Sequence, residues 1–150
     1  YINLCVQDTA TSDTKSIENE DVADEETQAV MSLSDEQLNL LSKLVAAEAR
    51  GESYEGQVAV AAVVLNRVKD SRFPDSIEGV IYQKNAFSVV RDGYINAQPT
   101  EESYKAAKDA LYGNDPTNDA IYFWNPDIST CNWINTLNPH LRIGNHVFAR

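Results

Sequence analysis

Apolar positions beyond residue 33 first recur at helical spacing and turn strand-like only near the C-terminus. Leu38, Leu41, Leu44 and Val45 lie three, three and one apart, which aligns them along one side of a helix. Ser34-Asp35-Glu36-Gln37 opens it as a capping box, in which Ser34 and Gln37 each satisfy an orphan backbone donor of the first turn. Leu33 and Leu38 occupy the positions of a hydrophobic staple. Glu48 continues the stripe, so an acid is placed on the core face. Gly51 follows where helices commonly end on a left-handed residue, so Glu48 falls in the last turn.

A second helix is predicted from about Ser53 to Val68. Val58, Ala61, Leu65 and Val68 fall on one side of it and Val60, Val63 and Val64 on another, the pattern of a buried central helix. Its length decides against a strand despite the β-branched run. Phe73-Pro74-Asp75 ends that unit, and Ser76 to Tyr82 reads as a short helix. Asp92-Gly93, between Phe87-Ser88-Val89-Val90 and Tyr94-Ile95, is a hairpin signal. Thr100 opens a third long helix with Tyr104, Ala107, Ala110 and Leu111 inward and Gly113 as its terminator. Residues 120–124 read as a strand closed by Asn125-Pro126, and residues 142–148 as another. The expected class is α+β, with helices carrying the core and a small antiparallel sheet completing it.

Charge divides the chain. Residues 1–31 hold eight acids against Lys15 alone, a Thr/Ser/Asp/Glu-rich stretch too poor in apolar residues to offset its ordering entropy. Residues 1–32 are therefore expected to be an acidic linker or tail, and residues 33–150 the functional domain. The whole chain, at 150 residues and 43% hydrophobic, is long enough for one real core. Its net charge of -11 has the wrong sign for gripping phosphate backbones, which argues against a nucleic-acid partner. No apolar run reaches the length of a membrane span. The start at Tyr1 instead of Met is what a processed or truncated product shows. In an oxidising compartment, Cys5 and Cys131 would allow one bridge between tail and body.

Glu48 carries the sharpest chemistry, since a carboxyl on an apolar helix face is desolvated and its pKa raised, which keeps a general acid protonated near neutrality. The plainer account is an ion pair with Arg50, Arg67 or Arg91. Glu52 and Glu55 lie close enough in sequence to supply a second glycosidase carboxylate. As first-turn residues of the second helix they also suit its dipole. Aromatic residues gather late, as Tyr122, Phe123, Trp124 and Trp133, with Phe87 and Tyr94 earlier. Such rings stack on sugar faces, and amides such as Gln57, Asn125 and Asn135 bond hydroxyl and acetamido groups; core packing competes for the same rings. Strand alternation sends Tyr122 and Trp124 to one face and Phe123 to the other. His140, His146 and Cys131 match no zinc spacing and lack a fourth ligand, so neither metal nor cofactor is expected. Walker, GxGxxG, HExxH and GxSxG motifs are absent.

The run from Leu44 to Val68, with Ala47-Glu48-Ala49-Arg50-Gly51-Glu52 at its head, resembles the signature of the SleB/CwlJ-type cell wall hydrolases. The likeness continues through Phe73-Pro74, residues 79–83, Ala86-Phe87-Ser88, Asp92-Gly93, residues 107–111, residues 120–126 and residues 143–149. It implies a lysozyme-like fold related to lytic transglycosylases, and an extracytoplasmic enzyme, secreted or in the cell wall or spore cortex, acting on peptidoglycan glycan strands. The implied catalytic glutamate is Glu48, donating a proton at the β-1,4 bond between N-acetylmuramic acid and N-acetylglucosamine. The residues expected to meet the sugar are Gln57, Phe87, Ser88, Tyr122, Trp124, Asn125 and His146, with Tyr122 and His146 also suited to orienting Glu48. The rival from another class is a wall-glycan-binding module that grips through Tyr122, Trp124 and Trp133 without cutting.

Overall fold

The capping box at Ser34 forms as the sequence dictates. Ser34 Oγ accepts the Gln37 N–H at 3.0 Å, and Gln37 Oε1 accepts the Ser34 N–H at 2.9 Å. From it α1 runs over Asp35–Glu48, burying Leu38, Leu41, Leu44 and Val45 on the predicted stripe. In this computed structural model, residues 28–150 are described. The acidic segment before residue 28, and with it the Cys5 to Cys131 bridge, lies outside the described residues. Met31 and Leu33 pack against the core.

Helix α2, Tyr54–Lys69, begins at Ser53, whose hydroxyl accepts the Gly56 N–H. Every residue from Gly56 to Val68 is buried, because α1 and the helices at Ile77–Ile81 and Glu101–Leu111 surround it and the strands at Tyr122–Trp124 and Leu141–Ile143 touch it. A helix in that place needs small and apolar side chains on all sides, which explains its run of valines and alanines. Short helix α3 spans Ile77–Ile81 and α5 spans Glu101–Leu111, the latter opened by a capping box at Thr100.

Two expectations in the middle of the chain need correction. Residues 87–95 form no hairpin: Ser88–Arg91 is a short helix, α4, and Tyr94–Asn96 a 3-10 turn. Gly93 does adopt the left-handed conformation, at φ +85°, but it joins two helical turns instead of two strands. Val89 is fully buried in the helical arrangement, so core packing overrides its strand propensity. Tyr104 is not inward but 39% exposed, and Ala106 takes an inward place. Tyr104 lies about 100° round α5 from Ser103, at the margin of a stripe centred on Ser103, Ala106, Ala107 and Ala110.

The sheet is antiparallel, with strands β1 (Tyr122–Trp124), β2 (Leu141–Ile143) and β3 (His146–Ala149) in the order β1-β3-β2. The single strand expected over residues 142–148 is broken by Gly144 at φ +61°, which folds it into the β2–β3 hairpin. Phe123 pairs with Phe148, and Phe148 also with Leu141, so these three share the face that carries His146. Tyr122, Trp124, Val147 and Ala149 point the other way. Both faces of β1 and β3 are covered, and all seven of their residues are buried.

Candidate active site

Glu48 is the last residue of α1, and the chain leaves it through Ala49 and a left-handed Gly51 at φ +81°. Its side chain lies on the Leu41, Leu44 and Val45 side, 1% exposed. Neither carboxyl oxygen has a hydrogen-bond partner among the described residues. Burial strips water from the anion and pushes the Glu48 pKa up to about 7, while the charge of Arg67 pulls it back down. The carboxyl is thus poised between its two protonation states near neutral pH. The ion-pair account fails in its simplest form, because Arg50 is exposed and Arg91 bonds Asp92.

Arg67, on α2, is as buried as Glu48. Its Nε donates to the Ile121 carbonyl at 2.7 Å, and the guanidinium carbon lies 4.9 Å from the centre of the Phe73 ring, 5.4 Å from Phe87 and 5.7 Å from Tyr122. Cation–π attraction of this kind strengthens when the cation is desolvated. From this cage the rings continue without a break. Phe87 meets Phe123 at 6.4 Å, Phe123 meets His146 edge-on at 5.0 Å, and Tyr122 meets Trp133 at 5.4 Å. Phe87 and Tyr122 therefore face Arg67 directly, and His146 joins the same aromatic cluster through Phe123. Ser88 starts α4 beside Phe87, and Trp124 ends β1. Nothing in the local sequence pattern singles out Arg67 as the centre of that cluster; only its occurrence on a helix buried all round hinted that its charge needed a special environment.

Asn125 stands apart from this cluster in role. Its Oδ1 accepts the Asp127 N–H at 2.9 Å and its carbonyl accepts the N–H groups of Ile128 and Ser129, so it shapes the turn after β1. Glu52, considered above as a second carboxylate, is held by Asn145 through both of its oxygens. Glu55 is exposed in the first turn of α2, where the helix dipole favours an acid. His140 Nε2 lies 2.7 Å from the Thr117 carbonyl, and its backbone N–H donates to the Phe148 carbonyl. Among the described residues no group of three or more His, Cys, Asp and Glu side chains is arranged to hold a metal ion.

Gln57 belongs to a different place. Its amide nitrogen donates to the Glu52 carbonyl at 3.4 Å and to Glu102 Oε1 at 2.9 Å. It forms part of the wall of a cleft of about 570 Å³ bounded by α1, the α1–α2 loop and the segment entering α5. Glu48 is not on that wall. Lys43, Ala46 and Ala47 present α1 to the cleft and Arg50 the turn after it, and Glu48 projects about 140° round the helix from Lys43.

A family model described as cell wall hydrolase matches residues 51–149. The spore cortex-lytic enzyme of Bacillus subtilis is 48% identical over 116 residues, 77% of this chain and 38% of that protein. The spore cortex-lytic enzyme of Oceanobacillus iheyensis is 46% identical over 113 residues, 75% of this chain and 41% of its own length. The chain thus spans about two fifths of these curated relatives. The crystal structure of the catalytic domain of the Bacillus cereus SleB protein matches with a TM-score of 0.75 and 45% identity, covering 79% of this chain and 93% of that one. The catalytic domain of the germination-specific lytic transglycosylase SleB from Bacillus anthracis matches equally well, with 97% of its chain covered. The α+β, lysozyme-like architecture expected from the sequence is the one these structures share. On the family match and these identities together, the chain belongs to the cell wall hydrolase family.

Proposed function

We propose that residues 33–150 form an extracytoplasmic peptidoglycan glycosidase that cuts the β-1,4 bond between N-acetylmuramic acid and N-acetylglucosamine as a lytic transglycosylase, with Glu48 as its one acid/base. The observation that carries this reading is the Glu48 carboxyl: buried, unbonded among the described residues, and titrating near pH 7. A group with that pKa gives up a proton and takes one back at similar cost, which a single acid/base must do within each turnover. That the Bacillus anthracis structural neighbour is a germination-specific lytic transglycosylase supports the same choice.

Glu48 donates its proton to the glycosidic oxygen as the bond to muramic C1 breaks, and the N-acetylglucosamine strand leaves with a new hydroxyl. The Glu48 anion then takes the proton of the muramic C6 hydroxyl as that oxygen bonds to C1. This closes a 1,6-anhydro ring and restores the acid; no water is consumed. The buried Arg67 charge favours the anion between the two steps. Hydrolysis would need an ordered base for water, and Glu52, the nearest carboxylate in sequence, already spends both oxygens on Asn145. Phe87, Ser88, Tyr122, Trp124 and His146 are the aromatic and polar groups offered to the sugar rings, and being buried like Glu48 they meet a sugar only when the side chains over them part. At 1% exposure Glu48 is reached only when the side chains over it part.

The test is mass spectrometry of fragments released from purified peptidoglycan. The expected products end in 1,6-anhydromuramic acid and disappear in Glu48→Gln. Reducing muramic ends would make the enzyme a hydrolase, and digestion that survives Glu48→Gln would remove Glu48 from the chemistry.

A further inference from the structure

The cleft beside α1 is a polar place lined by both sequence neighbours of Glu48, Ala47 and Ala49, but not by Glu48 itself. Lys43, on α1, and Arg50, in the turn that leaves it, both line the cleft, with Ala46 and Ala47 between them in sequence as a low floor. Neither cation forms an ion pair among the described residues, in a chain whose net charge is -11. The opposite wall is held rigid by the buried Gln57, whose amide nitrogen is fixed by the Glu52 carbonyl and by Glu102. Gln98 and Thr100 add an amide and a hydroxyl at the rim. A volume of about 570 Å³ accommodates a few amino-acid residues.

We propose that this cleft binds a short peptide bearing carboxylates, seated between Lys43 and Arg50, and that in the substrate this peptide is the stem attached to muramic acid. The second clause rests on the peptidoglycan reading above; the first does not. The chemistry separates peptide from sugar. Lys43 and Arg50 suit carboxylates, because the two acids of the lining, Glu52 and Glu102, are taken up by Asn145 and Gln57, and amide side chains suit backbone N–H and C=O groups. The other large rings are elsewhere, around Arg67, and only the half-exposed Tyr94 edges the cleft. The end of α1 would then carry the acid for glycan cleavage, and α1 with the turn after it the cations for peptide recognition.

The experiment titrates the isotopically labelled protein with the free tetrapeptide L-Ala-D-Glu-diaminopimelate-D-Ala and follows backbone amide shifts. Shifts should centre on residues 43–50 and 94–102. Lys43→Ala and Arg50→Ala should each weaken binding about tenfold, and the double change Lys43→Glu with Arg50→Glu should abolish it. The ratio of digestion rates on peptide-bearing and peptide-stripped glycan should fall in that double variant. A tetrapeptide that does not bind, or binds the double variant equally, overturns the inference even when stripped glycan is cut normally. Charge-dependent tetrapeptide binding by a protein that cuts no glycan sustains the peptide site and removes the enzymatic reading instead.

Discussion

Glu52 and Asn145, 93 positions apart, are joined by two hydrogen bonds. The Asn145 backbone N–H donates to Oε1 at 3.3 Å, and its side-chain amide donates to Oε2 at 3.0 Å. The pair ties the loop leaving Glu48 to the turn entering His146, so two segments that carry candidate site residues are held by one carboxylate. Gly144 makes the approach possible, because it sits at φ +61° and a Cβ there would collide with Glu52 Oε1.

Replacing that glycine should therefore show two separable costs. Gly144→Ala should destabilise the protein by about 2 kcal/mol, roughly half from the left-handed backbone and half from the displaced carboxylate. In a Glu52→Ala background only the backbone part, about 1 kcal/mol, remains. Urea denaturation of the four proteins of this double-mutant cycle measures the difference. An equal cost in both backgrounds would mean that the close approach to Glu52 does not matter.

Glu48→Gln should trade activity for stability, in a pH-dependent way. The folded-state pKa of Glu48, about 7, is above its ordinary value of 4.5, so the folded chain keeps a proton that the unfolded chain has lost between those values. Its contribution is fully present below pH 4.5 and fades as pH rises through 7, where folding must bury an anion at a cost of about 3 kcal/mol. The amide imitates the protonated acid at every pH. The variant should match the wild type at pH 4, exceed its unfolding free energy by up to about 3 kcal/mol at pH 8, and digest no wall. Chemical denaturation at the two pH values decides it: a difference that does not grow with pH removes the buried-anion account.

The same pKa sets the alkaline limit of the reaction. Since proton donation needs the neutral carboxyl, kcat/KM should decline as pH rises above about 7, by about tenfold for each further pH unit. A rate that stays flat to pH 9 on purified glycan would show that Glu48 is not the proton donor.

How far the sequence speaks depends on whether the information is local. The capping box at Ser34, the stripe from Leu38 to Glu48 and the fully buried α2 are properties of adjacent turns, and they form as read. Val89 and Val90 carry strand propensity, yet the packing of Val89 puts that segment in a helix that no local rule announces. Tyr104 sits at the edge of its stripe, where spacing alone does not decide its exposure. Glu48 was legible because an acid interrupted an apolar pattern. The cage around Arg67 and the Glu52–Asn145 pair were not, since each joins residues brought together only by the fold.

Arg67 permits a test that separates packing from charge. Arg67→Lys keeps a buried cation but loses the Nε bond to the Ile121 carbonyl and the planar group facing Phe73, Phe87 and Tyr122. Arg67→Met keeps apolar volume but removes the charge, and it leaves the same carbonyl without this donor. Both should destabilise the protein by about 2–4 kcal/mol, because a buried acceptor is stranded and the aromatic contacts are weakened. Only Arg67→Met should also move the alkaline limb of the pH–rate profile upward, since the guanidinium is the charge on α2 that lowers the Glu48 pKa against burial. Unfolding curves and pH–rate profiles taken on the same two proteins read the roles independently. An equal shift of the limb in Arg67→Lys and Arg67→Met would assign it to altered packing around Glu48, not to the lost charge.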